Sequence, residues 1–412
     1  MALTELGRHF QRLGTFLEAH QALWRPRPFT CLQCPWEAEY PALAAWLRAR
    51  SLEQAEAGQA SPYELPAPAP YLQWAAQARA LCDVAPLQPV ALAPAAAHAA
   101  VGVPGRKWQQ IEAFASHLSL AERPAHWLDW CAGKGRLARR LIQPGQQATC
   151  LEHDPALVAA GERLSLRQPL PVRHVTQDVM ATSAAAQLGP AHTVVALHAC
   201  GDLHVRLMTL AAQAGCRQLA IAPCCYNRTG DEHYRPLSPE GAASGLRLDR
   251  HDLALPATEA VTAGRRERRL RDTSMARRLG FDLWQRVLRG ENSYLPTPPV
   301  PSHWQAKPMR QWCLDMAALK HLDVPVEPAW EQLEQHGWQR LAQVRNLELV
   351  RNLFRRPLEL WLVLDRALYL EHAGYQVRLG TFCAPALTPR NLLILAEQLS
   401  PKRGDNVVGS LV

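Results

Sequence analysis

The chain predicts an α/β protein built on a doubly wound parallel sheet, and three observations carry that. Apolar runs of four to six residues alternate with helical patterns from His126 to Tyr226, which is how strand, crossover helix, strand reads in a parallel sheet. The first run, Trp127 to Trp130, ends in Cys131-Ala132-Gly133-Lys134-Gly135, a small-residue turn that lets backbone approach a ligand. Acids then close three successive strands: Asp129 before the turn, Glu152 after the second run and Asp178 after the third.

Taken in order, residues 1–83 read as an N-terminal helical region. Leu3, Leu6, Phe10, Leu13 and Leu17 follow an i, i+3, i+4 rhythm, and Ala42 to Ala55 repeats it around Trp46 and Leu47. Between them, Cys31 and Cys34 form a CxxC with no second pair of ligands nearby, so it is read as half a zinc site at most. Residues 84–105 are Pro- and Ala-rich and read as a linker. Arg106 and Lys107 open a helix over Trp108 to Leu118, ahead of the first strand.

Residues 106–226 are the first part of the sheet. Val172 to Val175 is the third strand. Thr193 to Leu197 is the fourth, ending in His198-Ala199-Cys200-Gly201-Asp202, and Leu219 to Ala222 the fifth, ending in Pro223-Cys224-Cys225-Tyr226. Residues 227–349 leave the alternation and read as an inserted, mostly helical, basic region. Residues 350–412 close the sheet with a helix from Pro357 to Ala373, a strand through Tyr375, Val377 and Leu379, and another over Asn391 to Ala396. If the first, fourth and fifth strands are neighbours about 4.8 Å apart, then Cys131, His198, Cys200, Asp202, Cys224, Cys225 and Tyr226 gather at one crevice outside their carboxyl ends.

The turn with its three acids resembles the class I S-adenosylmethionine (SAM) dependent methyltransferases. The words Leu197-His198-Ala199-Cys200-Gly201-Asp202 and Cys224-Cys225-Tyr226, with Leu364-Asp365-Arg366 and Thr388-Pro389-Arg390-Asn391, are similar to a methyltransferase-like group. That group includes the glutathione S-transferase C-terminal-domain-containing protein. The resemblance covers Gly105 to Asn227 and Phe354 to Leu399. It implies a Rossmann-like methyltransferase sheet with a large insertion before the last helix, and SAM as cofactor. It implies further that Asp129, Cys131, Gly133, Gly135, Glu152, Asp178 and His198 hold that cofactor, with Glu152 on the ribose hydroxyls and Asp178 on the adenine amine.

His198, Cys200, Asp202, Cys224, Cys225 and Tyr226 are the candidate catalytic residues, and three chemistries are open to them. Cys200 and Cys224 stand at strand ends comparable to those of the two thiols in RNA 5-methylcytosine enzymes, where one thiolate adds to the base. His198, Asp202 or Tyr226 could instead serve an N- or O-methylation needing only deprotonation and orientation. Cys131, Cys200, Cys224 and Cys225 could hold a metal or cluster. The adopted expectation is direct transfer with no covalent intermediate and no metal. Asp202 has a bland alternative as N-cap of the following helix.

With 48% hydrophobic and 20% charged residues the chain has the balance of a folded soluble protein. Eleven irregularly spaced cysteines do not form a secreted disulfide framework. No signal-like segment is present and the longest uncharged stretch, Val84 to Gly105, is broken by prolines, so a cytoplasmic protein without membrane partner is expected. The net charge is +8, and Gly264 to Gly290 holds nine arginines against Glu267, Asp272 and Asp282. Arg265, Arg266, Arg268 and Arg269 are therefore candidate phosphate contacts and Trp284 and Tyr294 candidate stacking surfaces, with RNA, tRNA or rRNA, as the expected acceptor. The alternatives are a protein or small-molecule acceptor, or a non-catalytic RNA-binding scaffold. Oligomeric state is not legible.

Overall fold

A computed structural model describes residues 3–95, 99–167, 170–258 and 264–398. Within it the chain forms two compact units. One comprises Met1–Gly14, Asp83–Ala257 and Glu359–Val412, the other Thr15–Cys82 and Thr258–Leu358.

The first unit is an α/β sheet of seven strands: β1 His126–Trp130, β2 Gln147–Glu152, β3 Val172–Thr176, β4 His192–Ala196, β5 Gln218–Ile221, β6 Gln376–Thr381 and β7 Leu392–Glu397. Their order is β3-β2-β1-β4-β5-β7-β6, parallel through β5, with β7 running antiparallel to both β5 and β6. The Rossmann-like arrangement follows, and β1, β4 and β5 are neighbours as expected. Strand order reverses between β1 and β4, so their carboxyl ends diverge into the crevice where ligands of such sheets bind.

Alternation along β1 decides what faces that crevice. Trp127 enters one core with Ile111, Phe114, Leu137 and Leu141, from the helices Gly105–Ser116 and Arg136–Leu141. Asp129 lies two residues on, on the same side, and accepts a hydrogen bond from the Ala138 amide at 3.2 Å. Trp130 points to the opposite face, donating to the Leu203 carbonyl at 3.0 Å at the start of helix Asp202–Gln213. Complete burial of a side chain such as Phe114 contributes about 2–3 kcal/mol.

Residues read as a linker do more than connect. The Leu87 amide donates to the Thr381 carbonyl at 3.0 Å and the Thr381 amide donates to Ala85 at 3.2 Å, which covers the exposed edge of β6.

The second unit is helical. Helix Trp330–Asn352 packs against Arg265–Arg289 so closely that a Cβ at Gly337 would lie 2.4 Å from the Ala276 carbonyl oxygen. Asn346 donates to the carbonyls of Arg50 and Ser51 at 3.1 and 3.0 Å, tying the same helix to the N-terminal segment.

Two expectations change here. The pattern over Ala42 to Ala55 is two helices, Pro41–Arg48 and Leu52–Ala60, because Ser51 starts the second with a reciprocal capping box to Gln54. The compact units also cut across the expected ranges 1–83 and 227–349: residues 15–82 and 258–358 pack together, while residues 227–257 stay with the sheet. Asp365 explains the second point, since its carboxylate accepts from the Tyr234 hydroxyl and the amides of Leu237 and Ser238 at 2.5, 2.8 and 3.0 Å.

Candidate functional site

The turn after β1 is built from three left-handed positions, Cys131, Gly133 and Gly135, with φ of 60°, 56° and 64°. The glycines adopt it for different reasons. A Cβ on Gly133 would meet nothing within 4 Å, whereas one on Gly135 would lie 2.6 Å from His174 and 2.9 Å from Cys150. Gly133 therefore opens toward ligand space, and Gly135 lets the helix approach the sheet. Cys131 carries a side chain in a conformation that glycine prefers, a local strain of the kind that collects at ligand sites.

Glu152 stands behind this turn. One carboxylate oxygen accepts from the Gly133 amide at 2.8 Å and the other from the Asp154 amide at 3.1 Å, with His153 Nδ1 at 2.9 Å from the second. A carboxylate has about four acceptor sites, so capacity remains for a ribose hydroxyl. Asp178 closes its own turn by accepting from the Met180 amide at 2.9 Å and is exposed.

A cavity of about 250 Å³ opens on the turn, lined among others by Lys107, Asp129, Cys131, Gly133, Leu157 and His198. Glu152, Asp178 and Gly135 are not among its lining residues. Burial of Asp129 raises its carboxyl to about 7, opposed by the Ala138 amide and by Arg139. Burial pushes the Cys131 thiol up to about 12, with Glu152 and Asp129 adding to it, so it is a neutral wall of the cavity. His198 keeps surface toward solvent while protein atoms crowd around it. That desolvation first, and the Lys107 ammonium second, lower its imidazole below the ordinary range and leave it neutral at pH 7. Lys107 was read from sequence as a solvated helix start or, less favoured, as a residue near the ligand edge of the sheet; it lines the cavity at that edge.

Beyond β4 and β5 two turns are stitched to each other. The Gly201 amide donates to the Cys224 carbonyl, the Asp202 amide to the Arg228 carbonyl and the Arg228 amide to the Cys225 carbonyl, at 3.0, 3.0 and 2.9 Å. Asp202 Oδ2 accepts from the Gly230 amide at 2.8 Å. Asp202 is thus the first residue of its helix, Gly201 being the N-cap, and its carboxylate braces the neighbouring turn.

Tyr226 is packed away at 3% exposure. Its hydroxyl donates to the Pro223 carbonyl at 3.4 Å and its ring lies 5.0 Å from the Arg366 guanidinium. Arg366 also donates to His204 Nε2 at 2.7 Å and to the Tyr234 hydroxyl at 3.1 Å. His204 donates through Nδ1 to Ala199 at 3.0 Å, and burial followed by Arg366 holds it well below the ordinary histidine range. Asp365 and Arg366 were visible in the sequence only as words; Arg366 reaches the turn after β5 at the Tyr226 ring and the turn after β4 through His204, while Asp365 holds the Tyr234 to Ser238 segment beside it.

Cys200, Cys224 and Cys225 come together, their sulfurs all within 4.8 Å of one another. Cys131 does not join that group, although it was expected at the same crevice.

The arginine segment divides along its helix. Arg266, Arg268 and Arg269 are exposed, and the Arg265 side chain lies outside the described residues. Further on the guanidinia turn inward: Arg277 donates to Trp304 and Gln305 carbonyls, Arg278 to Pro298, and Arg286 pairs with Asp282 at 3.0 Å. Trp284 is not a stacking surface, because it is buried against Phe281 and Trp330. Tyr294 is partly covered by Phe29.

Residues 106–231 match the family described as "Methyltransferase domain", which is under half of the chain. No curated protein matches. Among solved structures, similarity is found to TehB from Haemophilus influenzae (16% identity over 27% of this chain and 39% of that one, TM-score 0.23). It is found also to the N-terminal domain of EvdMO1 with SAH bound (19% identity, 41% and 78%, TM-score 0.24) and to the 23S rRNA methyltransferase ErmE (17% identity, 57% and 96%, TM-score 0.23). The chain spans 42%, 39% and 45% of the first three structures it resembles, less than half of each. Among the described residues no helix is long and apolar enough to cross a membrane. The family match falls on the parallel strands and the glycine turn, so residues 106–231 of this sheet are similar to a methyltransferase domain.

Proposed function

We propose that this chain is a cytoplasmic SAM-dependent methyltransferase acting on RNA, tRNA or rRNA, by direct methyl transfer. The observation that carries the acceptor is the split of the arginine helix. Its back half is spent on internal carbonyls and Asp282, while Arg266, Arg268 and Arg269 stay exposed in a segment of strong positive charge. Exposed arginines on one helix end are what phosphate contacts require. All eleven cysteines are free thiols, in keeping with a reducing compartment.

Bound SAM supplies a methyl group on a positively charged sulfur. The chain has to hold an acceptor in line with it, so positioning accounts for much of the rate. Gly133 leaves room for the ligand, Glu152 orients the turn and offers acceptor capacity for the ribose, and Asp129 offers a carboxyl at the cavity wall. The neutral imidazole of His198 is placed to take a proton from the acceptor. Asp202 and Tyr226 act as braces of the turns that present it.

Replacing Arg265, Arg266, Arg268 and Arg269 with Gln should weaken RNA binding and flatten its salt dependence, by about 0.7–0.9 in slope for each phosphate no longer neutralised. SAM affinity should not move. Unaltered RNA affinity and slope would transfer the acceptor to a protein or small molecule. Mass spectrometry of modified nucleosides in RNA from cells with and without the gene would identify the methylated base or ribose.

A further inference from the structure

The two stitched turns bring three thiols to one point. Successive residues of an extended chain point to opposite sides. Cys224 and Cys225 escape this because Cys225 takes a left-handed conformation, φ 50°, which is costly for a residue with a Cβ and rare outside functional sites. Cys200 reaches the same point from the other strand end, its sulfur 3.6 Å from that of Cys224.

Gly201 makes this possible. A Cβ there would lie 1.9 Å from the Arg228 carbonyl oxygen, so only glycine lets the turns close as they do. All three cysteines remain partly exposed, unlike the fully buried Cys150 and Cys216, which fill core.

We propose that Cys200, Cys224 and Cys225 form a three-thiolate site for a soft divalent cation, zinc in the first instance, with a fourth position open to water or to an acceptor atom. Sulfurs around tetrahedral zinc stand roughly 3.8 Å apart, given Zn–S bonds of about 2.3 Å. The three sulfurs here, mutually within 4.8 Å, need only small side-chain adjustment to meet that. Three protein ligands and an open place are the pattern of reactive rather than structural zinc sites. Thiolate donors select zinc over magnesium or calcium. Asp202 and Tyr226 fix the backbone of the turns that carry these thiols, Asp202 through the Gly230 amide and Tyr226 through the Pro223 carbonyl. The proposal does not depend on the acceptor being RNA.

The test uses the full chain purified with a phosphine reductant and no chelator. Elemental analysis should find about one zinc per chain. Cobalt(II) in its place should show an intense visible band of a tetrahedral site with thiolate charge transfer in the near ultraviolet. Cys200→Ser and Cys225→Ser should each lower cobalt affinity beyond the roughly 10–100-fold that loss of an outer hydrogen-bond partner costs. The Cys31→Ser/Cys34→Ser double variant removes the other close thiol pair, whose sulfurs are 3.5 Å apart, and should bind as the native chain does. Alkylation mapped by mass spectrometry gives a readout without substitutions: Cys200, Cys224 and Cys225 should become reactive only when a chelator is added. Absence of metal, loss of metal only in the Cys31/Cys34 variant, or alkylation indifferent to chelator would each overturn the site.

Discussion

The turn after β1 and the paired turns after β4 and β5 stand at the same end of one sheet and both use glycines with positive φ, yet they are opposites. At Gly133, φ 56°, an added Cβ meets nothing within 4 Å; at Gly201, φ 57°, it meets a carbonyl oxygen at 1.9 Å. The first turn is left open for something outside the protein to enter. The second is closed by another stretch of the same chain. A glycine with positive φ therefore announces a constraint, and only its surroundings say whether the constraint serves a ligand or a brace.

The sharpest way to break the contrast is to substitute both glycines. Gly201→Ala should cost roughly 3–5 kcal/mol, combining backbone strain with a forced separation of the turns, read as a shifted midpoint in urea unfolding. Gly133→Ala carries the strain without the clash and should cost about 1–2 kcal/mol in the same experiment. Equal losses would show that the paired turns are looser than the geometry says.

The clamp should come next in size. Asp365→Asn leaves the shape but removes the charge from an acceptor of two backbone amides and two hydroxyls, and should cost about 2–3 kcal/mol of stability. SAM affinity measured by calorimetry should change far less than stability.

Glu152→Ala reverses that pattern. It takes away the acceptor of the Gly133 amide and the expected ribose partner, so SAM binding should weaken by about 1.5–3 kcal/mol while most of the fold persists. Unchanged calorimetric affinity would remove Glu152 from the cofactor site.

A separate effect is one of pH. Burial raises the Asp129 carboxyl from an ordinary 3.8 to about 7 in the folded chain. A group whose folded value lies above its unfolded one contributes stability that is full below the unfolded value and lost as pH rises through the folded one. Native chain should therefore lose stability relative to Asp129→Asn between about pH 4 and pH 8, measured by thermal unfolding across that range. A difference that stays flat with pH would mean that Asp129 is ionised throughout.

Much of the architecture was legible because its signals are local. Apolar runs marked the first, third, fourth and fifth strands to within a residue; the fourth, read as Thr193 to Leu197, is His192–Ala196. What escaped was set by residues far apart in sequence. Arg366 and His204 are 162 positions apart, and no window along the chain shows that one holds the other. Trp284 was assigned to stacking because an aromatic beside arginines resembles a nucleic-acid surface, but its burial depends on Trp330 from another helix. The three thiols were expected at one crevice, since strand ends can be counted; Cys131 lies at the cavity wall with His198 rather than in that tight group.

The clamp on the paired turns also sets a timetable for the chain's own synthesis. Strands β4 and β5 and their turns are complete by Arg228, but Asp365 and Arg366 follow well over a hundred residues later, and β7, which covers the flank of β5, later still. Between those moments a growing chain carries an uncovered strand flank and three adjacent thiols. Such a chain is exposed to edge pairing and to oxidation during the interval when the second unit's helices are being made.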